Sequence, residues 1–215
     1  MSDALMSRLR AGAQTLGLTL DAQQLDQLLA YLALLARWNK TYNLTAIRDP
    51  EQMLVQHLLD SLAVIAPLVG HTHEQPSRLL DVGSGGGLPG VVLAIARPEL
   101  AVTCVDTVGK KATFIRQVAA ELHLPNLQAR HARVEALQEA AFDVITARAF
   151  ASLTDLVRLT RALLSPGGVW MAMKGQHPVD ELAALPADVA VFHVEPLLVP
   201  ELGAERCLVW MAPKN

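Results

Sequence analysis

Hydrophobic residues keep a helical period up to about residue 77 and a mixed strand and helix pattern after it. Asp21 followed by Gln24 is a capping-box variant, and Leu25, Leu28, Leu29, Leu32 and Leu35 then mark one helix face as far as Trp38. A shorter helix is expected from Ala4 to Leu16, ending at Gly17. Asp49-Pro50-Glu51 combines a capping acid, proline at the first helical position and an acid in the first turn. The helix it opens carries Leu54, Leu58 and Leu62 and is expected to stop before Pro67. Residues 1–65 therefore read as an N-terminal helical cap, and residues 66–215 as the domain it covers. Beyond the polar loop His71 to Ser77, strands are predicted at 78–82, 101–106, 127–132, 143–147, 169–174, 189–195 and 207–212. Helical stretches are predicted near 88–96, 109–122, 133–139 and 152–164. Such alternation needs crossover connections and gives a doubly wound, mostly parallel seven-stranded α/β sheet. The last two strands, joined by the short Pro196 to Arg206 stretch, can pair as an antiparallel edge hairpin.

Composition narrows the classes. Of 215 residues, 52% are hydrophobic and 18% charged, so the chain can bury enough apolar surface to offset its conformational entropy. A net charge of −3 argues against a uniformly basic coat for nucleic acid, and three Trp, two Tyr and four Phe argue against a base-stacking platform. Cys104 and Cys207 lie far apart in apolar contexts, which reads as buried thiols in a reducing compartment. The longest apolar run, Leu28 to Ala36, is short for a membrane span, so a soluble cytoplasmic protein is expected.

The chemistry concentrates in Asp81-Val82-Gly83-Ser84-Gly85-Gly86-Gly87, between the first strand and a helix. Glycines there allow close backbone approach, and the turn is expected to present N–H groups at the helix N-terminus. A triphosphate loop would need Lys-Ser/Thr after Gly90, where Val91 stands; a dinucleotide fingerprint would need glycine at Leu88. Acid-x-Gly-x-Gly-x-Gly is the pattern that fits. Asp106, at the end of the second strand, stands where an acid of a doubly wound sheet reaches a ribose diol.

These residues, with Leu163-Leu164-Ser165-Pro166-Gly167-Gly168, resemble the Rossmann-like class I S-adenosylmethionine methyltransferases. More narrowly, Trp38-Asn39-Lys40-Thr41-Tyr42-Asn43-Leu44-Thr45, His57-Leu58-Leu59-Asp60-Ser61, Gly83 to Gly90, Arg148-Ala149-Phe150-Ala151 and Lys174-Gly175 resemble the bacterial glucose-inhibited division protein B family. The resemblance runs from about residue 20 to 213. It implies transfer of a methyl group from S-adenosylmethionine to N7 of a guanine, position 527, in 16S rRNA. It also implies that Gly83 and Leu88 line the methionine end of the cofactor, Asp106 its ribose and Val134-Glu135 its adenine, with Arg148 facing the cofactor and Asp81 and Gly85 also among the cofactor-binding residues. Glu135 equally reads as a solvated acid in a first helical turn. Gly86, where relatives often have Pro, and Cys207, where His is frequent, depart from the family pattern.

Other acceptors lack their residues. No Pro-Cys nucleophile ends the fourth strand, no Asn/Asp-Pro-Pro-aromatic turn stands there, and Asp143 lies at the start of that strand, not at its end as ribose 2′-oxygen transfer would want. The acceptor is then expected to bring its own lone pair, with Arg148 and Lys174 beside it and no general base. From Lys110 to Arg133, five Lys/Arg (Lys110, Lys111, Arg116, Arg130, Arg133) face one acid, Glu121, whereas Gly175 to Glu205 carries six acids and no base. The basic stretch reads either as a solvated helix face or as an RNA-phosphate rim, with Lys110, Lys111, Arg116 and Lys174 as contacts. The partner expected is 16S rRNA or the small subunit, bound by a monomer, with no membrane, DNA or metal. Rival readings are a non-catalytic RNA assembly factor, a 2′-O-methyltransferase and a nicotinamide oxidoreductase. His57 is read as packed or capping, Tyr31, Trp38 and Tyr42 as core between cap and sheet, and Asn43 and Asp60 as the polar cap residues to test for a site-facing role, since polar groups in apolar helices need partners.

Overall fold

Local capping sets the helical layer. In the computed structural model, which describes residues 3–73, 75 and 77–214, α1 spans Asp3–Thr15 and α2 Ala22–Tyr42. Glu74 and Pro76 of the expected polar loop lie outside the described residues. Asp21 accepts from the Gln24 N–H while the Gln24 side chain accepts from the Asp21 N–H, so the capping box is complete. α2 runs past Trp38 and ends at Asn43, whose left-handed backbone (φ 50°) makes it a C-cap. Asp49 caps α3 (Pro50–Met53), which passes into a π-helical turn, Leu54–Leu59, and then α4, Asp60–Leu62.

The helix stops at Leu62, before Pro67 as expected, but a further helix, α5 (Ile65–Thr72), follows after two residues and was not anticipated. Pro67 occupies its first turn, where a missing N–H removes no intrahelical bond. Among the described residues, Pro50–Thr72 is the stretch long and apolar enough to cross a membrane, yet 72% of its apolar window is buried inside the fold. It is a core helix here.

The sheet has strand order β3-β2-β1-β4-β5-β7-β6, with β1 Arg78–Val82, β2 Ala101–Asp106, β3 Leu127–His131, β4 Phe142–Arg148, β5 Leu164–Lys174, β6 Val189–Pro196 and β7 Cys207–Pro213. β1 to β5 are parallel; β7 inserts between β5 and β6, antiparallel to both. α6 (Gly90–Ala96), α7 (Gly109–Glu121) and α8 (Leu153–Thr160) form crossovers. The helix expected at 133–139 shrinks to a 3₁₀ turn, Val134–Ala136, because only ten residues separate β3 from β4. The helix expected to reach Leu164 ends at Thr160 and a 3₁₀ turn, so β5 starts five residues early. A short helix, α9 (Val179–Ala183), forms within the acidic stretch and was not anticipated.

Alternate residues of each strand feed two hydrophobic clusters. On one face Leu79, Val102 and Met171 pack with Leu28, Tyr31 and Leu59 of the helical layer; on the other, Leu80, Ile145 and Trp170 pack with Leu153 and Leu156. The helical layer and the sheet therefore share one core. Tyr31, fully buried, donates its hydroxyl to the Gly86 carbonyl at 2.7 Å, which fastens α2 to the glycine loop. Tyr42 differs from the expectation for a core residue: it is 40% exposed and leans on Trp38.

Candidate functional site

The glycine loop lies at the carboxyl end of β1, beside the point where the strand order reverses between β1 and β4, the usual crevice of open α/β sheets. Gly83 (φ 65°), Gly85 (φ 57°) and Gly87 (φ 93°) all occupy left-handed backbone. A Cβ on Gly83 would lie 2.8 Å from the Phe150 ring, and one on Gly87 2.4 Å from Val91. The expected display of free N–H groups is not what forms. Gly83 and Ser84 donate to the Val105 carbonyl, Gly87 and Leu88 to the Ser84 carbonyl, and Gly85 to Asp106 Oδ2 at 2.9 Å. At the start of α6, Gly90 N–H is taken by Asp81 Oδ2 at 2.9 Å. Five of the loop's donors, those of residues 83, 84, 85, 87 and 88, are spent within the protein, so the loop shapes a wall without forming a phosphate cradle.

That wall bounds a cavity of about 350 Å³, lined by Gly83, Asp106, Val108, Val134, Glu135 and Phe150 among others. Asp106, 6% exposed, accepts from Gly85 and Val108 N–H and lies 3.7 Å from Lys111 Nζ. Its carboxylate thus ties the glycine loop to the start of α7 while still lining the cavity. Asp81 lies beneath the loop and off the cavity wall, its Oδ1 without a partner among the described residues. Burial pushes its pKa up to about 7, against the opposing effect of the Gly90 N–H. Leu88 belongs to the hydrophobic core and Gly85 to the loop's interior bonding, so neither lines the cavity.

Arg148 does not line this cavity either; it lines a second one, of about 290 Å³, with Gln56, His57, Asp60, Lys174 and Arg206. Asp60, almost fully buried, accepts from Arg148 Nη1 at 3.0 Å and from Arg206 Nε at 2.8 Å. Arg148 Nη1 also donates to the Gln56 carbonyl at 2.8 Å, a group presented by the π-helical turn. π-turns recur at functional sites because they release and re-aim backbone groups. His57 contacts the Thr45 hydroxyl through Nε2 at 2.9 Å, and burial, helped by the Arg148 charge, lowers its pKa to about 4. Asn39, part of the Trp38 to Thr45 motif but given no role from the sequence, holds the segment carrying Thr45 by bonding Thr45 N–H and the Ile47 carbonyl. Of the two cap residues singled out, Asp60 lines this second cavity, whereas Asn43 is the α2 C-cap and accepts from Arg48.

Folding sets three of the five bases of the stretch beside acids. Arg130 pairs with Glu139 and Arg133 with Glu135, both acids beyond the stretch itself. Lys111 leans toward Asp106, and Lys174 is held between both oxygens of Glu181 at 2.9 and 2.8 Å. Lys110 and Arg116 remain as exposed α7 cations without a carboxylate partner among the described residues. Among those residues, no group of three or more His, Cys, Asp or Glu could hold a metal. His71 instead packs on Trp210 at 5.0 Å.

The family described as rRNA small subunit methyltransferase G matches residues 24–209. Ribosomal RNA small subunit methyltransferase G of Leptothrix cholodnii is 70% identical over 207 residues, covering 96% of this chain and 95% of that one. The protein of the same name from Methylibium petroleiphilum is 64% identical over 212 residues, covering 99% and 96%. Among solved structures, TrmN from Thermus thermophilus superposes with a TM-score of 0.56 at 21% identity, over 74% of this chain and 53% of that one. A ribosomal protein L11 methylase from Lactobacillus delbrueckii gives 0.54 at 19% identity, over 73% and 77%. At these identities the two structures speak for the fold alone.

Proposed function

The chain belongs to the rRNA small subunit methyltransferase G family, and from that premise we propose that it transfers a methyl group from S-adenosylmethionine to N7 of guanine 527 in 16S rRNA. The observation that carries the cofactor assignment is the 350 Å³ cavity, which sets Asp106 and Glu135, each already paired with a cation of the same lining (Lys111, Arg133), against apolar walls beside a glycine loop most of whose donors are spent. Such a lining suits a nucleoside that offers hydroxyl and amino hydrogens and brings no phosphate. Asp106 takes the ribose hydroxyls, Val134 and Glu135 the adenine, and Gly83 admits the methionine end where any side chain would meet Phe150. Asp81, Gly85 and Leu88 hold the loop in shape from behind.

When bound, the cofactor supplies an electrophilic methyl on a sulfonium, whose transfer to N7 leaves the positive charge on the base and releases no proton. The protein therefore needs alignment and no general base, and alignment alone can contribute about 7–11 kcal/mol. Arg148 and Lys174 flank the acceptor across the wall formed by residues 148–150. The protein acts as a cytoplasmic monomer on rRNA or the small subunit, with no membrane or DNA partner. Labelled methyl transfer to subunits lacking the modification, followed by nucleoside analysis, is expected to yield 7-methylguanosine. Cofactor binding without transfer would leave a non-catalytic assembly factor as the reading.

The exposed cations of α7 supply the phosphate contacts. Reversing both charges, Lys110→Glu with Arg116→Glu, is expected to weaken rRNA binding and to make the salt dependence shallower by about 1–2 in log–log slope. An unchanged slope would remove α7 from the RNA interface. Lys111 is left intact in this test because it also touches Asp106.

A further inference from the structure

We propose that the second cavity receives the target base and that Arg148 is the residue that selects guanine over adenine, by donating to O6, with Asp60 and the Gln56 carbonyl as its positioning groups. The inference rests on the methyl-transfer reading above. It starts from the wall between the cavities: Phe150 lines the cofactor cavity, while Arg148 and Ala149 line the other. The backbone of that wall is strained, since Ala149 is a non-glycine residue at φ 53°. Its flanking side chains thereby serve opposite cavities, so the two cavities adjoin across this one turn.

The second cavity is built to hold a guanidinium rigidly. Both hydrogens of Arg148 Nη1 are used, one on Gln56 and one on Asp60, while Nη2 has a single long contact of 3.5 Å to His57. Nε has no partner among the described residues, and the side chain is 22% exposed into the cavity. The remaining donors are thus fixed in place and available. Asp60 cannot swing to a ligand, because its other oxygen holds Arg206. His57 is kept neutral by burial, so it adds no competing charge.

Chemistry then decides what those donors read. Adenine and guanine both present an N7 lone pair on the same edge, so attack at N7 cannot by itself choose between them. They differ at position 6, where guanine has an acceptor and adenine a donor. Arginine donates only and never accepts, so it matches O6 and meets the adenine amino group donor to donor. The common arginine fork on guanine takes O6 and N7 together, but here N7 must keep its lone pair for the methyl. Single donation to O6 follows. It also sets a cation beside a base that becomes positive on methylation, which favours release of the product; Asp60, between two guanidiniums, moderates that opposition.

The test uses the full-length protein and rRNA fragments with guanine, inosine or 2-aminopurine at the target position, assayed by single-turnover methyl transfer. Inosine keeps O6 and N7; 2-aminopurine keeps N7 and lacks O6. The wild-type protein is expected to methylate guanine and inosine at similar rates and 2-aminopurine roughly 10- to 100-fold more slowly. Arg148→Met should bring the guanine rate down to the 2-aminopurine rate and abolish the discrimination, with cofactor affinity by calorimetry unchanged. Asp60→Asn should reduce discrimination partially, and Arg148→Lys should restore part of it. Equal wild-type rates on guanine and 2-aminopurine, or an equal loss on inosine, overturn the assignment even if Arg148→Met fails to fold. So does discrimination that survives in folded Arg148→Met. Absence of transfer to guanine itself would instead overturn the methyl-transfer reading on which the assignment stands.

Discussion

Asp106→Ala is expected to weaken S-adenosylmethionine binding by at least about 100-fold, because hydrogen bonds to a charged group contribute roughly 1.5–3 kcal/mol each and the ribose offers two. The substitution acts twice. It removes the acceptor that lines the cavity and also releases Gly85 and Val108 N–H, whose bonds to Asp106 join the glycine loop to α7. Asp106→Asn separates these effects: its amide oxygen can still accept from one of the two N–H groups, but it lacks the charge that strengthens ribose bonding. Calorimetric titration on both variants, with thermal denaturation as a check on folding, reads the difference. A folded Asp106→Ala protein with wild-type affinity would falsify the cofactor geometry.

A second large effect lies in the pH dependence of stability. Asp81 has its pKa raised from 3.8 to about 7, chiefly by burial, so the folded state binds a proton that the unfolded state has released. Stability from this group is full below pH 3.8 and is lost as pH rises through 7, about 4 kcal/mol in all. His57 runs the other way. Its pKa falls from 6.5 to about 4, again chiefly by burial, so the unfolded state binds the proton more tightly. Its contribution is full above pH 6.5 and is lost as pH falls through 4, about 3 kcal/mol in all. Between pH 4 and 6.5 the two slopes oppose each other, and their joint effect on the wild-type protein is close to level. Asp81→Asn, which keeps an acceptor for Gly90 N–H, should expose the His57 slope: stability relative to wild type climbs by about 3 kcal/mol across that interval. His57→Gln should expose the Asp81 slope and fall by a similar amount. Denaturant unfolding at pH 4.5, 5.5 and 6.5 tests the pair; parallel profiles for all three proteins would rule out the buried titrations.

Much of the fold was legible because each signal was local. Seven strands, their alternation with helices and the capping residues Asp21 and Asp49 depend on side chains within a few positions of one another. The misreadings fall where distance intervened. The segment 133–139 has helical composition but too few residues between two parallel strands. The helix α5 was missed because a proline reads locally as a terminator, whereas here it sits in the first turn of a helix that restarts two residues after α4. The five bases between Lys110 and Arg133 looked like a strong patch because Asp106, Glu135 and Glu139, which meet three of them, stand outside the counted stretch.

Of the site, the sequence by itself determined the chemical inventory: a glycine loop, an acid after β2, an arginine at the end of β4 and the family to which they belong. Those are covalent facts, and folding cannot change which groups are present. The tertiary structure decided how they are divided. Parallel pairing of β1 with both β2 and β4 brings Gly83, Asp106 and Glu135 to one cavity, while a strained turn at Ala149 sends Arg148 into another. Only there does it meet Asp60, 88 positions away, and Arg206, 146 positions from that same carboxylate. A buried carboxylate needs charged partners, and no pattern along the chain states which ones the packing will deliver.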